Sequence, residues 1–361
     1  MFRHWICLSL MTLPAAALFA EPVAARAEAL LAAATAERQD GQVALRWTGL
    51  KGPVEVWLLP DADAARSKGR KLLSAVGEST RVDAGPWPRP HFLLRGADGR
   101  EVRTAERVLP LEGGSNFRDL GGYRTAGGTE TGWGALYRSA VMSGLTPEDF
   151  GHLRSLGLKT VCDFRSTDER KRDEVAWPEG VQPTVLATDY GLDTGAIAAL
   201  FRGGPVTAES VRKAMAGFYA EMPFGFAGQY AAMMRELVEG RAPLAFNCSA
   251  GKDRTGLAAA LLLTVLGVPA KTVMADYLLS NETYRPAAPR AGGDDPTARM
   301  FAAMPADARD ALMGVDRSYL EASLAAIEAR GGMERYVREE LKLSEADVET
   351  LKRRYLRPAM R

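Results

Sequence analysis

Leu244-Ala245-Phe246-Asn247-Cys248-Ser249-Ala250-Gly251-Lys252-Asp253-Arg254-Thr255-Gly256 is the stretch on which the reading of this chain turns. Leu244 to Phe246 is short and apolar, as a buried strand is, and Thr255 to Leu266 is an apolar helix stopped by Gly267 and Pro269. A cysteine therefore sits in a loop between a strand and a helix N-terminus. Cleaving a phosphate ester with a protein nucleophile needs a thiolate, donors for the phosphoryl oxygens and a proton for the leaving group. A free thiol has a pKa of about 8.5, and helix ends and cations bring it to roughly 3.5–7.5. A drop of about two units favours the thiolate by roughly 2.7 kcal/mol. The N–H groups of Ser249 to Gly256 suit a dianion, and Arg254 can offer a bidentate fork to two of its oxygens. Gly251 and Gly256 stand where the loop must close. The plain alternatives are a small buried hydrophobe at Cys248 and a solvated charged turn at Lys252-Asp253-Arg254.

The segments on either side alternate between helices and short apolar strands. Thr146-Pro147-Glu148-Asp149 reads as a capping box with Pro at the first helical position, and the helix should end at Leu156-Gly157. Leu158 to Phe164 follows as a buried strand. Ser318 to Arg330, Met333 to Leu341 and Ser344 to Leu356 are helical, and Tyr284 to Pro296 is a Pro/Gly-rich surface loop. This order implies an α/β core with a mostly parallel sheet flanked by helices, spanning residues 113–358.

Here the chain resembles the bacterial secreted tyrosine and phosphoinositide phosphatases of the protein-tyrosine-phosphatase superfamily, with their Cys-x-x-Gly-Lys-Asp-Arg-Thr loop. The resemblance runs from about Ser115 to Leu356. It rests also on Asn116-Phe117-Arg118-Asp119-Leu120-Gly121-Gly122-Tyr123, Leu136-Tyr137-Arg138-Ser139, Asp163-Phe164-Arg165-Ser166 with Glu169-Arg170, and Asp276-Tyr277-Leu278-Leu279-Ser280-Asn281. It implies a tyrosine-phosphatase-like fold, Cys248 as nucleophile, Arg254 as the phosphate-gripping cation and Asp253 as the acid that protonates the leaving oxygen. A structural carboxylate paired with Arg254 or a backbone N–H is the other reading of Asp253, and Asp163 and Asp189 are weaker alternatives for the acid. Thr255 could hydrogen-bond Cys248 as it leaves the phosphoenzyme, and Lys252 would add charge at the rim, as for multiply phosphorylated substrates. The family usually has His before the nucleophile. Asn247 can donate a hydrogen bond but brings no charge, so less help to the thiolate is expected without loss of function. Arg118 and Asp119 either organise the loop from behind or cap the Gly121-Gly122 turn, and a structural role is expected of both. Leu192 to Phe226, with helical stretches Ile197–Phe201 and Val211–Met222, sits where relatives carry a lid; core helices are the alternative.

The N-terminal part is of another kind. Arg3 and His4 precede the apolar Ile6 to Phe19, and small residues follow around Ala20 and Ala25, the pattern of an export signal over residues 1–25. The apolar run is short for a membrane span, so a retained anchor is the lesser reading, and localisation is expected to be periplasmic or secreted. Residues 26–40 read as an Ala-rich, weakly helical leader. From Gln42 to Pro110, Val43, Leu45 and Trp47 alternate, as do Val54, Val56 and Leu58, with Trp57 and Leu59 facing the other way. Phe92 to Arg95 and Val102 to Val108 flank Asp98-Gly99, a tight-turn signal. Residues 41–110 thus read as a small antiparallel β-sandwich, similar in outline to a fibronectin type III module, with a spacer or docking role and no partner named by its sequence.

The chain has 361 residues, is 47% hydrophobic and 25% charged, and carries a net charge of +1, which argues against an electrostatic nucleic-acid binder. Its three cysteines are Cys7, Cys162 and Cys248, and export would remove the first. Two remaining cysteines make no disulfide framework. Cys162, just before Asp163, is either buried and inert or the partner of Cys248 in a reversible disulfide. The function expected is hydrolysis of phosphomonoesters, on phosphotyrosine or also phosphoserine and phosphothreonine, through a cysteinyl-phosphate and without metal or cofactor. The substrate would be a phosphorylated protein, or a phosphoinositide or inositol polyphosphate. A sulfurtransferase fits Lys252 to Gly256 less well. A phosphate-binding adaptor would typically have lost Cys248 or Arg254, and both are present.

Overall fold

The structure is a computed structural model that describes residues 33–85, 89–192, 195–200, 205–286 and 303–359. The expected export signal over residues 1–25, the part of the expected leader up to residue 32 and the expected loop beyond Pro286 lie outside the described residues. Among the described residues no helix is long and apolar enough to cross a membrane.

Strands β1 (Ala34–Gln39) and β2 (Gln42–Trp47) form a hairpin turned by Asp40 and Gly41, whose φ of 52° and 79° are the positive pair a two-residue hairpin needs. The sequence reading placed Ala34–Gln39 in the helical leader. It is a strand because Ala34 and Ala36 are buried in the sandwich core while Thr35 and Glu37 are more exposed, a period of two that small residues hide. Next come β3 (Val54–Leu59), β4 (Arg70–Ala75), β5 (Ser79–Val82), β6 (His91–Arg95) and β7 (Glu101–Ala105). They make two antiparallel sheets of order β1-β2-β5 and β4-β3-β6-β7. Val43, Leu45 and Trp47 of one sheet share a core with Val54, Val56, Leu58, Phe92 and Leu94 of the other. Each such side chain is worth about 1.5–3 kcal/mol on burial. Leu59 and Trp57 turn to the opposite face, against Ala64 and Leu93. The expected strand Val102 to Val108 stops at Ala105, because Glu106 and Arg107 leave the sheet and are buried. Arg107 lies over the rings of Tyr123 and Trp133, 4.1 and 4.8 Å from their centroids.

The second unit contains β8 (Arg118–Asp119), β9 (Thr129–Thr131), β10 (Leu136–Ser139), β11 (Thr160–Asp163), β12 (Thr184–Ala187) and β13 (Leu244–Asn247). Its main sheet has the order β12-β11-β13-β10-β8 and is parallel except for β8. Leu136, Cys162, Leu244 and Phe246 face one core, while Tyr137, Val161 and Ala245 face the other. Both faces are covered, which is why these strands read as continuous apolar runs.

Helix α1 (Pro147–Leu156) has the capping box at Thr146 and Asp149 and the left-handed Gly157 that its sequence announces. Then follow α2 (Thr167–Arg172), α3 (Gly195–Leu200), α4 (Ala208–Gly225), α5 (Ala227–Val238), α6 (Arg254–Val265), α7 (Ala270–Leu278) and α8 (Ser280–Thr283). The chain closes with α9 (Ala306–Met313), α10 (Arg317–Ala329), α11 (Gly332–Glu339), α12 (Glu345–Tyr355) and β14 (Leu356–Pro358), the last paired to β9. In the segment read as a lid, α4 is a core helix: Val211, Met215, Tyr219 and Met222 line its buried face. Ser139, Asp163 and Asn247 stand in one register row at the carboxyl ends of β10, β11 and β13, and Cys248 follows directly. In open α/β sheets this edge is where ligands bind.

Candidate active site

The loop from Cys248 to Asp253 is shaped from outside. Phe164 N–H donates to Asn247 O at 2.8 Å and Val141 N–H to Ser249 O at 3.1 Å. Asn116 Nδ2 donates to Ala250 O at 3.3 Å and to Gly251 O at 2.8 Å, and Arg138 Nη2 reaches Gly251 O at 2.9 Å. In a trans peptide the following N–H points opposite to the carbonyl. With these carbonyls held outward, the N–H groups of Cys248, Ala250, Gly251 and Lys252 turn to the concave side. Gly251 makes this curl feasible: its φ is 66°, and a Cβ there would lie 2.3 Å from Ser139 O. Gly256, in the first turn of α6, is packed so closely that a Cβ would meet the Tyr277 ring at 3.0 Å.

Cys248 is a free thiol, 1% exposed at the base of this loop. Thr255 Oγ1 is buried and has no partner among the described residues, a hydroxyl left over for the thiolate or a phosphoryl oxygen. Asn247 donates through Nδ2 to Asp163 at 3.2 Å, and its buried Oδ1 has no partner there.

Arg254 is held by Glu169, which neither periodicity nor spacing had marked as its partner. Nη1 donates to Glu169 Oε2 at 2.7 Å, Phe164 O at 3.0 Å and Tyr190 Oη at 2.7 Å, and Nη2 to Glu169 Oε1 at 2.8 Å. Among the described residues nothing accepts from Nε, so the guanidinium keeps an edge for a ligand. Burial pushes the Glu169 carboxyl up, but Arg254, Ser249 and the Ser166 N–H outweigh it and hold it at about 2. Burial also works against the charge on Arg254, and Glu169 and Cys248 more than restore it. Ser249 Oγ donates to Glu169 Oε1 at 2.5 Å, so this loop residue serves the carboxylate. Glu169 entered the sequence reading only through the motif with Arg170; the structure adds a Ser166-Glu169 capping box at the start of α2, which fixes its backbone and says nothing of Arg254. Tyr190 carried no signal at all.

Asp253 Oδ1 accepts from Tyr219 Oη at 2.8 Å and from Lys252 Nζ at 2.9 Å, and it makes no pair with Arg254. Lys252 departs from its expected place at the rim. Its side chain is 7% exposed, and Nζ donates to Leu312 O at 3.2 Å and Gly314 O at 3.0 Å, pinning the turn between α9 and α10. A lysine with three satisfied hydrogens is spent as structure. Asp163 is chelated by Arg165, with contacts of 2.7 to 3.0 Å, and Asp189 pairs with Arg170 at the surface, so neither alternative acid is free. Cys162 is a buried free thiol whose pKa is pushed up by burial and by the charges of Glu236 and Asp163, which makes it a poor nucleophile.

Arg118 and Asp119 serve two different ends. Arg118 does organise the loop from behind: it pairs with Asp276 at 3.1 Å and donates to the side chain of Asn116. Asp119 accepts from Gly121 N–H and Gly134 N–H, each at 2.7 Å, and forms an ion pair with Arg89 of the β-domain. Asp119 is therefore a domain anchor, and the sequence reading had not joined it to the sandwich. Among the described residues no group of three or more His, Cys, Asp or Glu could hold a metal ion.

The loop, its helix and the anchored arginine define a phosphatase, and residues 109–357 match the family model described as the tyrosine phosphatase family. The chain belongs to that family. It is 36% identical over 247 residues to a Cupriavidus necator protein named as a tyrosine-protein phosphatase, covering 67% of this chain and 86% of that one. It is 31% identical over 198 residues to the triple specificity protein phosphatase PtpB of Mycobacterium tuberculosis, covering 49% and 70%. The crystal structure of P. aeruginosa TpbA aligns with 55% of this chain and 90% of that chain at 19% identity, with a TM-score of 0.25 too low to add to the assignment.

Proposed function

We propose that this phosphatase hydrolyses phosphomonoesters on tyrosine side chains of proteins through a cysteinyl-phosphate. The Cys248 thiolate attacks phosphorus while the loop N–H groups and Arg254 hold the three equatorial oxygens. Asp253 gives its proton to the leaving oxygen and later takes one from the water that cleaves the S–P bond. The observation that carries this reading is the set of outward-held carbonyls, because it leaves the loop N–H groups to converge beside Cys248. The engaged Lys252 removes the main support for a multiply phosphorylated substrate. A relative named for triple specificity supports testing phosphoserine and phosphothreonine as well.

Two further readings belong with this one. The chain is exported to the periplasm or beyond, on the strength of residues 1–25. The N-terminal sandwich is of the fibronectin type III kind, supported by its three-plus-four division of strands.

The test is phosphate release by reduced protein in EDTA, from phosphotyrosine and phosphoserine peptides and a phosphoinositide panel. Turnover of phosphotyrosine peptide is expected to fall by about 10⁴-fold or more in Cys248→Ser. Turnover that survives that substitution would end the thiolate mechanism, and a phosphoinositide preference would change the substrate class.

A further inference from the structure

We propose that Tyr219 is the positioning residue of the proton-donating carboxyl: it holds Asp253 by Oδ1 and so makes Oδ2 the oxygen that carries the proton. This rests on the reading of Asp253 as the acid. Both donors to Asp253, Tyr219 Oη and Lys252 Nζ, converge on Oδ1, and none of the described residues donates to Oδ2. A carboxylate only accepts, so the Tyr219 hydrogen lies on that bond. Tyr277 Oη supplies Tyr219 Oη with a hydrogen in turn, at 2.8 Å. Tyr219 is wholly buried on α4, with its ring centroid 6.2 Å from that of Tyr277 and 5.5 Å from that of Tyr319. Its hydroxyl therefore has a fixed place. Burial, then the charge of Asp253, push the Tyr219 phenol well above its ordinary value, so it remains a donor at working pH.

The groups that face Asp253 come from every side. They are Tyr219 from α4, Tyr277 from α7, Tyr319 from α10, Tyr284 after α8 and Lys252 from its own loop. Lys252 is itself fastened to the α9–α10 turn. Oδ1 is thus held by two independent elements, and the carboxyl cannot rotate to exchange its oxygens without breaking both bonds.

The chemistry uses the difference between the two oxygens. As the Cys248 S–P bond forms and the P–O bond to the leaving group breaks, the proton on Oδ2 passes to the leaving oxygen. Negative charge then appears on the carboxylate, and the bonds from Tyr219 and Lys252 to Oδ1 strengthen with it. In the second half the carboxylate takes a proton from the attacking water, the S–P bond breaks, and inorganic phosphate leaves with the thiolate restored.

The experiment compares kcat/KM for phenyl phosphate, whose leaving group needs the proton, with p-nitrophenyl phosphate, whose leaving group needs it far less. Tyr219→Phe keeps the ring and removes the donor. A fall of about tenfold is expected on phenyl phosphate and under about threefold on p-nitrophenyl phosphate. Tyr277→Phe, which leaves the Tyr219 hydroxyl in place, should give the same pattern more weakly and serves if Tyr219→Phe does not fold. Equal losses on both esters would mean that Tyr219 only packs, and would overturn the proposal. Asp253→Asn separates the two readings. If it spares phenyl phosphate, Asp253 is not the acid and both fail. If it shows the leaving-group penalty while Tyr219→Phe does not, only the positioning role fails.

Discussion

Two arginine–carboxylate clusters flank the same loop, and they are built to opposite specifications. Behind it, Arg118 and Arg138 share Asp276 at 3.1 and 2.6 Å, with side chains no more than 1% exposed. Arg138 then reaches forward to Gly251 O, Arg118 braces Asn116, and Tyr123 adds a third donor to Asp276 at 2.9 Å. In front, Glu169 is the one carboxylate that Arg254 pairs with among the described residues, at 7% and 13% side-chain exposure, and Nε is left uncommitted there. The rear cluster spends its hydrogen bonds on backbone and on itself, which fixes where the loop lies. The front cluster orients one guanidinium and withholds part of it. A buried ion pair by itself says little about stability, but breaking one strands a charge in a dry place. The rear cluster carries that risk twice over, with two cations on one anion.

The comparison breaks most visibly at the rear. Asp276→Asn leaves two buried guanidiniums without a counter-charge, and a loss of about 3–5 kcal/mol is expected, read as a lower urea midpoint at unchanged m-value. Activity should fall with it as the loop loses its brace. An Asp276→Asn protein that unfolds at the wild-type midpoint would show that the rear cluster is not what holds the loop. At the front, Glu169→Gln should cost about 10–100-fold in kcat/KM, because Arg254 loses its bidentate anchor, while the stability loss should be smaller than that at the rear, where two cations lose their anion. A large stability loss with little change in kcat/KM would erase the distinction between the clusters.

The last effect is one of pH. The Glu169 carboxyl is depressed from 4.5 to about 2 in the folded protein. A depressed acid stabilises the fold above its unfolded pKa and loses that contribution as pH falls through the folded one. The stability difference between wild type and Glu169→Gln should therefore be constant above about pH 5 and shrink as the pH drops from 4.5 towards 2. Urea midpoints of both proteins across that range are the measurement, and a difference that grows on acidification would contradict the assigned partner of Glu169.

What could be read in advance depended on how local its cause is. The capping box at Thr146, the left-handed Gly157 and the alternation of Val43, Leu45 and Trp47 are each settled within a few residues, and each is where it was expected. Ala34–Gln39 was misread because alanine has high helix propensity while its place on a paired strand depends on β2. Lys252 looked like a rim charge because its neighbours in sequence are loop residues. Two of its three acceptors lie 60 and 62 residues away. Val211 to Met222 has a helical period that suits a lid and a core equally, and only packing against α10 decides between them.

The amino-acid sequence by itself determined the strand–loop–helix around Cys248, the glycines that let the loop close, and the tyrosine-phosphatase family to which residues 109–357 belong. Tertiary structure alone decided that Glu169 orients Arg254, that Asp276 holds two arginines behind the loop, that Tyr219 grips Asp253, and that Asp119 fastens the β-domain. The reason is physical. Turns, caps and periodicity are dictated by sterics and hydrogen bonds between near neighbours. The partner of a buried charge is chosen by whichever opposite charge the folded chain brings within about 3 Å in a medium too dry to leave it alone.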